Sequence, residues 1–337
     1  MLNGFVPLDE WAAVLRHEYL RDYVRDGGAA VKFVVPCQGL AGDILREEIR
    51  SAATEEGYFY AFVDGGETKL HMVDRIFHAV ARQVDWTGTA CAFLQNMLAE
   101  ASFRLPQGGE TLDLETIAAL NEFDLREMRV VVNQRLRDSL FRDYDMTQDF
   151  RLAMTSLCRA QLDIRDVPEG LTEGILEWLK GELRLVSALK PAAIFQKIGR
   201  NSGRHMLYSL ARWMHRVRGS GMVLVLDMAR FLEDKKSQDG TLYYTPAAVM
   251  EGYEVLRQFI DSTDEMSHGM VIVVAPERFL HPDEVRRGIW AYEALQLRIQ
   301  ADVKDKLKAN PLSSLVRVSR LNHDAAAASP GGVPCEM

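Results

Sequence analysis

The sequence predicts an α/β fold, a three-layer core in which a parallel sheet is covered on both faces and interrupted by a mainly helical insertion. Three observations point there. Short runs that are almost wholly apolar, VKFVV (31–35), MVLVLD (222–227) and MVIVVA (270–275), lack the alternation of a half-exposed strand and suit parallel strands buried on both faces. Segments of helical spacing separate them. The stretch VKFVVPCQGLAGDILREEI, from Val31 to Ile49, joins a strand through a glycine-bearing turn to a helix.

The elements follow in order. Leu8 to Asp26 has helical spacing, with Asp9 near its start and Gly27-Gly28 as its stop. Val31 to Val35 is the first strand, and Tyr58 to Val63 in GYFYAFVDGG is the second. From Cys91 to Ile198 the segments TLDLETIAALNEF, DLREMRVVVNQRLRDSLF, DFRLAMTSLCRAQL and LTEGILEWLKGELRLV read as amphipathic helices, with Val130-Val131-Val132 leaving one of them ambiguous. MVLVLD, MVIVVA and SSLVRVSRL (313–321) supply three late strands. The expected division is a first part of the core over 1–90, a helical insertion over 91–198, a second part of the core over 199–322 and a tail over 323–337. The tail composition, DAAAASPGGVPCEM, predicts mobility.

Composition narrows the function classes. The chain has 337 residues, 47% of them hydrophobic, and a formal charge of -8, which argues against a wholesale nucleic-acid coat while leaving room for a local basic patch. Cys37, Cys91, Cys158 and Cys335 form no C-x-x-C pair, so neither a zinc site nor a disulfide framework is indicated, and a reducing compartment is expected. The start MLNGFVPLDEW lacks a basic segment followed by an apolar run, and no stretch approaches the roughly 18 apolar residues of a membrane span. A cytoplasmic protein without a membrane partner is expected.

The early strand-turn-helix has the frame of a phosphate-binding loop. Such a loop reads G-x-x-x-x-G-K-[ST], because backbone N–H groups and the helix N-terminus cradle the anion, Lys neutralises it and the hydroxyl holds Mg²⁺. Here Pro36, Ala41, Gly42 and Asp43 stand at the two Gly, the Lys and the Ser/Thr positions. Gly42 removes a positive charge and Asp43 adds a negative one, a change hostile to a triphosphate. Asp is also a strong helix N-cap, so Asp43 is expected to take the place of the anion electrostatically, or to be an ordinary cap. Gly39 and Gly42 leave only a G-x-x-G turn. The strand ending at Asp227 matches the second fixture of phosphate-loop NTPases, where an Asp supports Mg²⁺ and a following acid positions water, but that second position is Met228.

The chain resembles the P-loop, AAA/STAND-like proteins described as BREX-system ATP-binding proteins, with relatives in methylation-associated bacterial phage-defence systems. The resemblance is carried by LDEWAAVLRHEYLRDYVRDGGAAVKFVVP, by IGRNSGRHMLYSLARWMHRVRGSGMVLVLD, and by YEVLRQFIDSTDEMSHGMVIVVAPERFL followed by RRGIWAYEALQLRI. It spans most of residues 8 to 300 and is weakest in the helical middle. It implies a complete Gly-Lys-Ser/Thr loop where this chain has PCQGLAGD, an acidic pair where it has Asp227-Met228, and a polar phosphate sensor where it has Ala275. It also implies that Arg298 matches an Arg facing a neighbouring subunit, although a helix cap or salt bridge is the simpler role.

A basic constellation completes the candidates. Lys197, Arg200, Arg204, Arg212, Arg216 and Arg218 occur between 197 and 219 with no acidic residue. Arg204, Tyr208, Arg212 and Arg216 share one helix face, opposite Leu207, Leu210, Met214 and Val217, and such a stripe suits phosphate contacts and stacking or, more simply, a solvated face. His71 and His78 lack a third ligand for a metal, and Ser156 and Ser202 lack an identifiable base. The reading is a noncatalytic regulatory or scaffolding subunit of an anti-phage defence complex. It binds partner proteins, with DNA and a second copy of the chain as further candidate partners, and no cofactor is expected. One alternative is an ATP-binding or ATP-hydrolysing protein with an atypical loop, using ATP and Mg²⁺. The other is a DNA-binding sensor.

Overall fold

Alternation along the strands builds the two cores of this molecule. In the computed structural model, which describes residues 4–37, 39–106, 112–162, 167–236, 238–281, 287–300 and 309–320, six strands form one parallel sheet. They are β1 (Val6–Pro7), β2 (Ala29–Cys37), β3 (Phe59–Asp64), β4 (Met222–Asp227), β5 (Gly269–Val274) and β6 (Leu315–Ser319), in the order β1-β6-β2-β5-β4-β3. The tail expected over 323–337 lies outside the described residues. Phe33, Val35, Leu224, Leu226, Val271 and Val273 face one core, while Val34, Val223, Val225, Met270 and Ile272 face the other. Successive side chains of a strand point to opposite faces, so continuous apolar runs fill both layers at once.

The smaller layer holds α1 (Leu8–Val14), a π-helical continuation over Leu15–Tyr23, and α2 (Gly42–Glu55), which bury Trp11, Leu15, Leu20, Leu45 and Ile49 against the sheet. The polar residue inside β2, Lys32, is 6% exposed, and its Nζ donates to the carbonyls of Leu312 and Ser313 while lying 4.7 Å from the centre of the Tyr19 ring. Its charge is thus solvated by the backbone that leads into β6.

The larger layer holds α3 (Val73–Ala81) and the helices of the middle segment, α4 (Trp86–Glu100), α5 (Leu114–Leu120), α6 (Leu125–Leu136), α7 (Gln148–Gln161) and α8 (Leu171–Lys180). It is completed by α9 (Arg200–Arg218), α10 (Pro246–Asp261) and α11 (Glu293–Gln300). Among the described residues the segment 91–198 contains no strand, and the Val130–Val132 run is helical, with Val132 buried and Val130 exposed. Asp85, Asp113 and Asp124 accept N–H bonds in the first turns of α4, α5 and α6 at 2.9, 2.7 and 2.8 Å. These caps satisfy donors that a helix start leaves unpaired. Phe93, Ile117, Met128, Leu157 and Trp178 join one continuous core with Leu224 and Val273 of the sheet.

Two junctions set how α9 seats. A Cβ on Gly203 would lie 2.8 Å from the Asp74 backbone nitrogen and 2.9 Å from its Cα, so α9 and the start of α3 touch backbone to backbone. Gly203→Ala is expected to cost about 1–3 kcal/mol through overpacking, despite the better helix propensity of Ala. Urea melts of the parent and variant measure this.

At the other end of α9, His215 and His268 stack with ring centres 3.5 Å apart and planes 6° apart. Each Nδ1 donates to a carbonyl, His268 to Val24 and His215 to Ser220, and Arg212 Nη1 lies 3.5 Å from His268 Nε2. Burial pushes both imidazoles below the ordinary histidine range, and for His268 the neighbouring His215 and Arg212 push the same way. The unfolded chain therefore binds more protons than the folded one below about pH 6.5, and stability present above that value is lost as pH falls. His268 has φ +55, which Asn tolerates. In denaturant melts between about pH 7.5 and pH 5.5, His268→Asn is expected to lose less stability on acidification than the parent.

Candidate functional site

The carboxyl ends of β2, β3, β4 and β5 lie along one edge of the sheet, with Asp64 in register with Asp227, and Asp227 with Val274. In open α/β sheets this edge is where ligands gather. The loop after β2 is shorter than the phosphate-loop frame implies. Pro36 and Cys37 are still strand residues, paired with Val318 and Ser319 of β6, so only residues 38–41 lie between β2 and α2. Pro36 contributes no N–H, and Leu40 N closes a turn by donating to the Cys37 carbonyl at 3.2 Å. The Cys37 thiol donates to the Val318 carbonyl at 3.2 Å, and burial pushes its pKa up, so it is an unreactive thiol.

Asp43 does not cap α2. The cap position is Ala41, in extended conformation and without a side-chain bond, and the helix begins at Gly42. Asp43 stands one residue later, where its Oδ1 accepts the Ile44 N–H at 3.0 Å and its charge lies against the positive end of the helix. The capping expectation is corrected, because β2 and its turn deliver the chain into the helix one residue early, and Asp43 stands as an exposed acid of the first turn. Gly39 has φ +79, and a Cβ on either Gly39 or Gly42 would meet nothing within 4 Å. The space in front of α2 is therefore open.

Asp227 and Asp64 each turn inward on their own strand end. Asp227 Oδ1 accepts from Ala229 N at 2.9 Å, Asp64 Oδ1 accepts from Gly66 N at 2.6 Å, and the Asp227 carbonyl accepts from Gly65 N at 3.0 Å. Burial raises the Asp227 pKa, with the Asp64 charge adding to it, while the Ala229 N–H and the Arg46 charge oppose. Met228 is fully buried, with its N–H donating to Val274, and Ala275 is fully buried, with its N–H donating to Val34. Both tie β4 and β5 into the ladder.

Arg46 and Asp64 escaped the sequence reading. Arg46 projects from α2 over the Phe62 ring, 4.6 Å from its centre, and acts on Asp227. Its spacing, one helical turn after Gly42, and the strand-ending position of Asp64 in AFVDGG were the available signals.

The arginine stripe of α9 is not an open face. Tyr208 is 4% exposed, and its hydroxyl bonds Ser262 Oγ at 2.6 Å. Arg204 donates to Gln258 Oε1 at 2.8 Å, and Arg200 lies 3.6 Å from Glu251, all on or beside α10. Arg212 pairs with Asp143 at 3.3 Å and Asp145 at 3.4 Å, and Arg216 donates to the Ser139 carbonyl at 3.2 Å over the Phe93 ring. The stripe is a polar seam joining α10 to the turn between α6 and α7, because the acids absent from α9 are supplied by its neighbours. Arg298 is likewise engaged. It forms a two-pronged ion pair with Asp261 and donates to the Ala294 carbonyl at 2.8 Å. Arg298 lowers the Asp261 pKa, and the next turn of α10 is tied by Arg257 to Glu254, whose pKa is brought down to about 2.

His71 and His78 do not converge on a metal. His78 Nδ1 donates to the Leu179 carbonyl at 2.9 Å, His71 packs edge-on to Tyr244, and no group of three or more His, Cys, Asp or Glu able to hold a metal occurs among the described residues. Ser156 donates to the Leu152 carbonyl and Ser202 to that of Gly199, without a base. No described helix is long and apolar enough to cross a membrane.

No curated protein and no solved structure matched the chain. The family model of the BREX system ATP-binding protein BrxC/D matches residues 6–328, which takes in every strand of the sheet and all the helices around it. With its parallel P-loop NTPase-like core, the chain belongs to the BREX system ATP-binding protein BrxC/D family.

Proposed function

We propose that this chain is a noncatalytic subunit of a BREX phage-defence system, regulatory or scaffolding in role, whose partners are other proteins of that system. The observation that carries the reading is the loop after β2. The family is described by ATP binding, yet the groups that would hold Mg-ATP do not fit here. The first glycine position is a paired strand proline, the Lys position is Gly42, and the hydroxyl position is Asp43, whose carboxylate already accepts a first-turn N–H. The strand-end acids Asp64 and Asp227 accept from the N–H groups of their own turns, with Arg46 as a cation acting on Asp227, and Met228 is buried where a second acid is expected. A retained fold with this edge suits assembly rather than turnover. The arginines that favoured DNA contact are committed to α10 and the 139–145 turn, so protein partners are the stronger proposal, and co-purification of the native complex would identify them.

Three outcomes test the reading. Calorimetric titration with Mg-ATP is expected to give no saturable isotherm. Magnesium-dependent phosphate release that disappears in Asp227→Ala would refute the proposal. Gly42→Lys combined with Asp43→Thr has room to fold, since nothing lies within 4 Å of a Gly42 Cβ, and is expected to leave phosphate release at background. Asp43→Ala is expected to destabilise the fold by about 0.5 kcal/mol in low salt and by less at high salt, because an exposed carboxylate at a helix start acts through the screened helix dipole. Denaturant melts at two ionic strengths read that difference.

A further inference from the structure

The sheet ends in two unlike edges. On one side β1 is two residues long, and one of them is Pro7, which has no N–H to offer. On the other side β3 is a strand of six residues whose one neighbour is β4. Phe59 N donates to the Gly221 carbonyl, so Phe59, Ala61 and Val63 give their backbone to β4, while Tyr60, Phe62 and Asp64 turn theirs outward. A bare edge of that length is a template for another strand.

Gln83, in the turn that follows α3, closes the middle of this edge. Its Oε1 accepts the Phe62 N–H at 3.1 Å and its Nε2 donates to the Phe62 carbonyl at 2.8 Å, the two bonds that a residue of a neighbouring strand would make. Nε2 also donates to the Ala79 carbonyl at 3.0 Å, which fixes the amide in place. The turn itself is anchored away from the sheet, because Arg82 donates to the Lys180 carbonyl at 2.8 Å and lies 3.3 Å from Glu182. At the carboxyl end of β3 the Asp64 carbonyl accepts from Thr68 N at 2.8 Å and from Glu67 N at 3.2 Å. Between these two closures and the strand's start, the N–H and carbonyl of Tyr60 have no partner among the described residues.

We propose that Gln83 is an autoinhibitory plug, and that the β3 edge beneath it is a latent interface with a second copy of this chain. The occupant follows from the pattern of outward groups. A two-fold axis beside Ala61 sets two copies of β3 antiparallel, with Tyr60 of each copy opposite Phe62 of the other. Each such pair exchanges both of its N–H···O bonds, but only where Phe62 is free in both copies. With the amide seated, Tyr60 alone is open, and one residue does not hold a strand. The Tyr60 and Phe62 side chains share one face of the sheet and are half-buried, so the facing pairs bring ring against ring. Withdrawal of the plug would join two six-stranded sheets into one continuous sheet.

Sedimentation and native-state hydrogen exchange on the full chain test this. In the parent the Phe62 amide is expected to exchange slowly and the Tyr60 amide about tenfold faster or more. Gln83→Ala, on an exposed turn side chain, is expected to fold and to add a concentration-dependent step that doubles the sedimenting mass relative to the parent. In that doubled species the Tyr60 amide is expected to slow by about tenfold or more. Gln83→Ser, which keeps a polar turn but is too short to reach Phe62, is expected to behave in the same way. A protected Tyr60 amide or a rapidly exchanging Phe62 amide in the parent, the parent's mass in both folded variants, or a mass step that leaves Tyr60 exchange unchanged would each overturn the proposal.

Discussion

The length over which β2 stays paired with β6 governs the edge of the sheet where a nucleotide would be held. Parallel pairing holds Pro36 and Cys37 flat in the ladder, opposite Val318 and Ser319. A phosphate-binding loop needs backbone free to curl around an anion and present its N–H groups to it. Here those residues give their backbone to the sheet, and the four residues that remain can only turn into α2. The charge reversal at Gly42 and Asp43, the buried Met228 and the ladder bond of Ala275 follow the same logic, in which groups that would face a ligand are engaged by the protein itself.

That self-sufficiency recurs on α9. A run of arginines without acids reads as a surface awaiting an outside anion, but Asp143, Asp145, Glu251 and Gln258 arrive from other elements and meet it. Tyr208, which would stack on a base if exposed, is instead closed off by Ser262. Local charge balance and global charge balance differ, and only the fold connects them.

The strands β2, β4 and β5 were legible because burial on both faces demands unbroken apolar runs rich in Val, Ile and Leu, whereas the similar run Val130–Val132 belongs to a helix. The helices of the middle segment were legible from their spacing, and the Asp caps at three of their starts came from the structure. What could not be read depends on partners remote in the chain. The two-residue strand Val6–Pro7 is defined only by its pairing with β6, and the extension of β2 to Cys37 has the same cause. The position of Asp43, one residue inside the helix rather than at its cap, depends on where β2 releases the chain. Arg46 and Asp64 carry no motif at all. They matter because α2 lies over β3 and because β3 and β4 end in register.

The sheet order also dictates a sequence of events during synthesis. β2 is the central strand of the core, yet Ala29 waits for Gly269 and Phe33 for Leu315, and the first strand, at Val6, waits for Val318. Nearly the whole chain must emerge before the early apolar strand finds either neighbour, whereas the helices between Trp86 and Lys180 can form as they appear. Such non-local pairing is slow and leaves an unpaired hydrophobic strand open to wrong partners in the interval. Until β5 and β6 arrive, the apolar β2 of the nascent chain has no strand of its own sheet to pair with. A break late in translation is far more damaging than the number of missing residues suggests, because it leaves the middle of the sheet with two bare edges.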